Sequence, residues 1–169
     1  VLFRTAHLIQ HDLSLQGGND KTTFFISGNY TTQEGTVQNT GLQRYTAKFN
    51  LQHEATNFRV GFNSTLGYSK NQNTFEGNSY IGSPLNAVRW TNPYEKPYDD
   101  NGDYSKIKSG QPNALQELLE NHRKFYDVKG IVNVYAEYFL PFVKDLSIKT
   151  SWGTDYTQRE TDAYYDKST

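Results

Sequence analysis

Cysteine and methionine are both missing from this 169-residue chain. Without cysteine it has no disulfide framework and no thiolate metal site. The histidines, His7, His11, His53 and His122, lack the His-Glu-x-x-His spacing of a zinc centre, so no metal is expected. An excess of charge of one sign is also missing: 17 Lys and Arg face 18 Asp and Glu for a net charge of -1, which gives no footprint for a nucleic-acid partner. There is no Gly-x-Ser-x-Gly elbow, phosphate-cradling glycine loop or nucleophile with a base, and so neither catalysis nor a cofactor is expected. Glu76, Glu117 and Glu120 lack a spacing that would pair them as a glycosidase acid and nucleophile, since that mechanism is set by separation in space.

Long apolar runs are missing as well. With 35% hydrophobic residues and a mean hydropathy of -0.80, the chain is no helical membrane protein. A transmembrane β-barrel remains open, because its lipid-facing residues alternate with wet ones and average hydropathy stays low. The chain opens at Val1 with neither a basic nor an apolar leader, and residues 161–169 are polar. We expect a segment of a longer polypeptide.

What the chain does have is 13 Tyr and 10 Phe, set in segments of strict alternation. Along residues 44–53, Tyr45, Ala47, Phe49 and Leu51 share one parity, and Arg44, Thr46, Lys48 and Asn50 the other. Along residues 57–70, Phe58, Val60, Phe62, Leu66 and Tyr68 oppose Arg59, Gly61, Asn63 and Thr65. Period two places these sets on opposite faces of a strand. Six strands are predicted, at residues 11–16, 22–33, 44–53, 57–70, 128–140 and 146–158. The joints at residues 17–21, 54–56 and 141–145 are short. Those at residues 34–43 and 71–127 are longer, the last far longer than a compact soluble domain tolerates.

Short turns at one end and long loops at the other predict an antiparallel transmembrane barrel with residues 71–127 as a long extracellular loop. Lipid-facing positions are then Phe49, Leu51, Phe58, Val60, Phe62, Leu66, Val132, Val134, Ile148 and Trp152. Lumen-facing positions are Arg44, Lys48, Arg59, Asn63, Glu137, Lys149 and Asp155. Tyr30, Tyr45, Tyr68, Tyr126 and Tyr156 fall toward the long-loop ends, and Phe24, Phe58 and Tyr138 toward the short turns, as two interfacial belts would. The rival is a soluble β-sandwich that binds carbohydrate, whose apolar face would be covered by a second sheet.

Within the long loop, residues 113–123 place Leu115, Leu118, Leu119 and His122 at helical spacing, which predicts a short helix, with an edge strand as the alternative. The tract from Val88 to Tyr98 sets aromatics among prolines and polar groups, and Arg89, Trp90, Asn92, Tyr94 and Tyr98 are its substrate-binding candidates. Packing of that loop against itself is the plainer alternative. Asp99-Asp100-Asn101-Gly102-Asp103 reads as a turn, with a calcium loop as the alternative. Asn29-Tyr30-Thr31 and Asn63-Ser64-Thr65 are chance sequons within strands.

The run from Val1 to Ala6, followed by His11-Asp12-Leu13-Ser14-Leu15-Gln16-Gly17-Gly18-Asn19-Asp20-Lys21-Thr22, resembles the SusC/RagA family of TonB-dependent outer-membrane transporters. So do Phe24 to Tyr30, Gln33-Glu34-Gly35, Arg44 to Leu51, Asn92-Pro93-Tyr94, Asp100 to Tyr104 and Asn133 to Tyr138. The resemblance implies about six strands of a 22-strand barrel, just after an N-terminal plug. It further implies a SusD-like surface lipoprotein as partner, energy from TonB-ExbB-ExbD through parts outside this chain, and import of oligosaccharides or peptides in a Bacteroidetes-like outer membrane. A non-transporting adhesive barrel is the further alternative.

Overall fold

The computed structural model describes residues 2–75, 83–108, 110, 112–143 and 145–166. Glu76 lies outside them. Six strands run in chain order: β1 (Leu8–Gly18), β2 (Thr22–Glu34), β3 (Gly41–Ala55), β4 (Phe58–Asn73), β5 (His122–Phe139) and β6 (Ser147–Tyr164). They form one sheet, each strand antiparallel to its sequence neighbour. The strands are longer than alternation predicted, mainly at the long-loop end. There β3 gains Gly41 to Gln43, β4 gains Asn71 to Asn73, and β5 begins at His122 instead of Val128. Residues 161–164, expected as a polar tail, are the end of β6.

The register lines up the alternating residues across the whole sheet. One row joins Gly17, Phe24, Leu51, Phe62, Val134 and Trp152; the next joins Leu15, Ile26, Phe49, Ser64, Val132 and Thr154. All of these side chains share a single face. A slip of one residue by β3 or β4 would bring Lys48 or Asn63 into it, so the pattern itself fixes their pairing. No second layer covers that face among the described residues: Leu13 is 79% exposed and Ile148 64%. This is the reverse of the covered face that a sandwich requires.

Each short joint has a local cause. Between β1 and β2, the Asn19 side-chain carbonyl accepts from the amides of Lys21 and Thr22 at 3.0 and 2.9 Å, an Asx turn. Gly18 enters it at φ +149°, and a Cβ there would lie 2.1 Å from the Thr22 carbonyl oxygen. Thr56 and Asn57 alone join β3 to β4. Between β5 and β6, Leu140 N–H donates to the Leu146 carbonyl at 3.0 Å.

The excursion between β4 and β5 carries two short helices, α1 (Pro84–Trp90) and α2 (Ala114–Glu120), packed on each other. The predicted helix at residues 113–123 is thus shorter. Asn121 ends it in extended conformation, and His122 and Arg123 already belong to β5. Helix α1 was not anticipated. Its Ser83 accepts from the Asn86 amide, and Pro84 stands at the first turn, where it has no amide to lose.

Candidate functional site

The face opposite the apolar one carries the polar residues. Arg44 lies across from Thr31 and Ser69, Lys48 across from Ser27 and Thr65, Asn63 across from Asn50 and Asn133, and Asp155 across from Ile131. Near the short turns, Arg59 bridges Glu54 at 3.0 Å and Glu137 at 3.4 Å. Glu137 in turn accepts from the Ser147 hydroxyl at 2.8 Å and stands opposite Lys149. Arg59, Glu137 and Lys149, three of the positions expected to face the lumen, thus form a contiguous cluster on three strands. Arg44 and Lys48 make no ion pair among the described residues, and they leave positive charge on β3.

Tyr135 ties this face together, a role that its alternation alone did not suggest. From β5 its ring crosses β4 above Gly61, and its hydroxyl donates to Gln52 Oε1 on β3 at 2.9 Å. Lys149 on β6 sits over the ring, 4.4 Å from its centre. Only glycine leaves room for this: a Cβ at position 61 would lie 2.0 Å from the Tyr135 ring. Replacing Gly61 with valine should displace Tyr135, break its bond to Gln52 and cost roughly 1–3 kcal/mol as an overpacked site. The midpoint of the heat-induced mobility change of the folded parent would drop; an unchanged midpoint would show the ring to be incidental.

On the apolar face near the long loop, His11, Tyr30, Tyr45 and Tyr68 form one row, with successive ring centres 6.4, 4.9 and 6.3 Å apart. Phe58 and Tyr138 pair at the short-turn margin. His53 also lies there, its Nδ1 2.8 Å from the Thr22 hydroxyl.

The loop candidates do not converge on one pocket. Arg89 and Trp90 end α1, and Trp90 is 66% exposed. Tyr94 is 78% exposed at the tip of a turn closed by Glu95 N–H to the Asn92 carbonyl. Tyr98 instead stacks on Tyr104 at 5.3 Å. Asn92 alone lines a pocket of ≈ 220 Å³, shared with Val88, Pro97, Asn113 and Ala114. Asp99 closes a turn: its carboxylate accepts from the amides of Asn101 and Asp103 at 2.9 and 3.0 Å, and Gly102 takes φ +89°.

Asn113 is the hub of the lobe built by α1, α2 and their connecting loop. Its Oδ1 accepts from the amides of Leu115 and Gln116, and its Nδ2 donates to the carbonyls of Pro97 and Ser105 at 2.7 and 3.1 Å. Leu118, fully buried, offers its carbonyl to Asn39 Nδ2 at 3.0 Å, and Asn39 is gripped by Gln72 of β4. The lobe is thereby tied to the β2–β3 loop. Glu117, read from the sequence as a loose loop carboxylate, is buried in α2. Burial pushes its carboxyl above the ordinary value of 4.5, against the bond from Asn121 Nδ2 at 2.6 Å, with Glu120 adding repulsion.

A folded-state pKa above the unfolded one means that this stabilisation is complete below about pH 4.5 and fades as pH rises through the raised value. Protection of the α2 amides, measured relative to their intrinsic exchange rates, should therefore be greatest in acid and fall as the carboxyl ionises. Glu117→Gln should flatten that dependence; a variant with the wild-type profile would assign it elsewhere.

A meander of six long strands with one wet and one uncovered apolar face is a stretch of transmembrane barrel wall. No family-level sequence profile matches the chain. It is similar to TonB-dependent receptor P3 of Formosa agariphila, 29% identical over 90% of this chain and 16% of that protein. TonB-dependent receptor SusC of Bacteroides thetaiotaomicron is 28% identical over 93% of this chain and 18% of its own length. The RagAB peptide importer in its closed-closed state superposes with a TM-score of 0.77 at 25% identity, over 96% of this chain and 19% of that one, and its open-open state with 0.76. In both sequence and fold the chain is therefore similar to the SusC/RagA family of TonB-dependent transporters. It spans less than a fifth of the length of these relatives.

Proposed function

We propose that this chain is part of the wall of an outer-membrane, TonB-dependent importer of oligosaccharides or peptides, and is not itself an enzyme. The observation that carries the reading is the continuous, uncovered apolar face beside a cross-linked polar one on strands long enough to cross a bilayer at a tilt. On this reading Phe49, Leu51, Phe62, Val132 and Val134 meet hydrocarbon, and Arg44, Lys48, Arg59, Asn63 and Glu137 face the lumen and a plug within it. The lobe built by α1 and α2 faces outward, where exposed Trp90 and Tyr94 offer flat surfaces to a SusD-like lipoprotein or to cargo. Force from TonB-ExbB-ExbD would enter through parts of the protein beyond this chain. The likeness to a peptide importer supports the peptide arm, and the likeness to SusC supports the wider class.

The test is uptake in a Bacteroidetes-type host of the full-length parent. Outer-membrane fractionation, heat-modifiable migration and loss of labelled oligopeptide or oligosaccharide uptake, both on deletion of the parent and on removal of TonB, are expected. A soluble parent, or uptake indifferent to either deletion, would overturn the proposal.

A further inference from the structure

The apolar face does not end level across the sheet. On β1 and β2 its lower limit is the row of Gly17 and Phe24, after which both strands close in the Asn19 turn. That row reaches β6 at Trp152, yet Thr150, Ile148 and Leu146 still follow below on the same face. The upper limit descends as well. Ile9 of β1 shares a row with Glu160 of β6, where the last aromatic of the lipid-side parity below it, Tyr156, stands four residues lower.

A drop of six residues at the bottom, from Trp152 to Leu146, is about 20 Å, and the drop at the top is about 13 Å, over five strand spacings of about 24 Å in all. The resulting slopes of roughly 30–40° are close to the ~35–45° tilt of strands in a barrel wall. The bilayer plane thus crosses the rows obliquely. At the top of β6, Gln158, Glu160 and Asp162 hold lipid-side parity because the strand has already left hydrocarbon there.

At the low end of this slope lies the β5–β6 turn, which differs from the other two short joints. Those carry Asn19, Asp20 and Lys21, or Thr56 and Asn57. This one carries Leu140, Pro141, Phe142, Val143 and Leu146, with Phe142 78% exposed. Val143 N–H donates to the Leu140 carbonyl and Leu146 N–H to the Val143 carbonyl, both at 3.4 Å, so Phe142 belongs to a tight, bonded turn. Leu140 and Leu146 continue the lipid-side alternation of Tyr138 and Ile148. The wet side at this level is taken by charge: Glu137 stands opposite Lys149, and Arg59 lies over the Phe139 ring at 5.2 Å. The exposed apolar turn is therefore continuous with the uncovered wall and not with the polar face.

We infer that the β5–β6 turn is embedded in the headgroup layer of the inner, periplasmic leaflet, with Phe142 as its anchor. The inference rests on the barrel-wall reading proposed above. An aromatic ring is favoured at that depth, its apolar body toward the acyl chains. Lipid at this turn fixes the height of β5 and β6 in the membrane, whereas the polar joint at Asp20 stays in water.

The test attaches a nitroxide to the full-length parent, cleared of any other cysteine, through Phe142→Cys, with Asp20→Cys and Ile148→Cys as comparisons. Each folded barrel, checked by heat-modifiable migration, is placed in vesicles of phosphatidylethanolamine and phosphatidylglycerol. Collisions of the label with oxygen, which concentrates among acyl chains, are compared with those of a water-soluble nickel chelate. The oxygen-to-nickel ratio should be highest at position 148, lower at 142 and several-fold lower again at 20. A ratio at 142 equal to that at 20 would overturn the anchor. So would a label at 142 closed to both reagents, which would put another part of the parent against the turn. In either case a high ratio at 148 would leave the wall reading standing, and a low one would bring down both.

Discussion

Phe62→Arg should prevent accumulation of the folded parent, whereas Asn63→Arg, one residue along, should leave it nearly untouched. The two side chains project from opposite faces of β4, midway along its apolar stretch. An arginine near the bilayer midplane of a barrel costs about 2–4 kcal/mol on the lipid side, and little where the wall is wet. Asn63 already stands between Asn50 and Asn133, so a longer polar group there meets polar neighbours. The measurement is the fraction of heat-modifiable barrel in outer-membrane extracts at matched expression. Equal yields from the two variants would mean that the apolar face does not meet hydrocarbon, and the barrel-wall reading would fall with it.

Asn113→Ala should loosen the outer lobe without unfolding the sheet. The side chain is 7% exposed and serves two backbone amides of α2 and two loop carbonyls at once. Loss of the helix cap costs about 1 kcal/mol; the exposed Pro97 carbonyl keeps the Ser105 amide as a donor at 3.0 Å, and losing the bond to the half-buried Ser105 carbonyl adds up to about 1 kcal/mol. A lobe held by two helices of seven residues each has little in reserve against a total of about 1–2 kcal/mol. Limited proteolysis should cut between α1 and α2 in the variant while β4 and β5 remain protected. Identical cleavage of wild type and variant would show that the hub is dispensable.

Face assignment was legible in the sequence because a strand has a period of two, and because a barrel wall leaves each face in one uniform medium. Phe62 and Asn63 were separable before any pairing was known. Strand ends were not legible for the same reason. Around Gln72, Lys124 and Asp162 both faces of the wall are wet, alternation fades, and only the ladder itself marks the strand. The turn at Asp99 to Asp103 was readable because its carboxylate binds its own neighbours. The part played by Asn113 was not, since its acceptors are main-chain carbonyls that no side chain identifies.

Helix α1 did leave a signal in Ser83-Pro84, but one turn of apolar spacing after it was too little to set against the aromatics that follow. The alliance of Gly61 with Tyr135 was hidden for another reason. It depends on how β4 and β5 register after a long excursion, and nothing local to either residue records that. The substrate candidates fare similarly: Arg89, Trp90, Asn92, Tyr94 and Tyr98 are close in sequence, yet a helix end, a turn and a stacked pair distribute them over different surfaces of the lobe.

Asn73 and Arg123 face each other across neighbouring strands, so everything between them leaves and re-enters the wall at one point. A segment inserted this way transmits no spacing requirement to the strands beneath, and closing a longer one adds only about 0.6 kcal/mol for each doubling of length. The lobe is therefore exchangeable as a cassette. A new recognition surface could be grafted at this doorway if it kept three described moorings to the wall: Asn39 with Gln72, Phe75 stacked on Tyr165, and Asn121 accepting from the Asp166 amide.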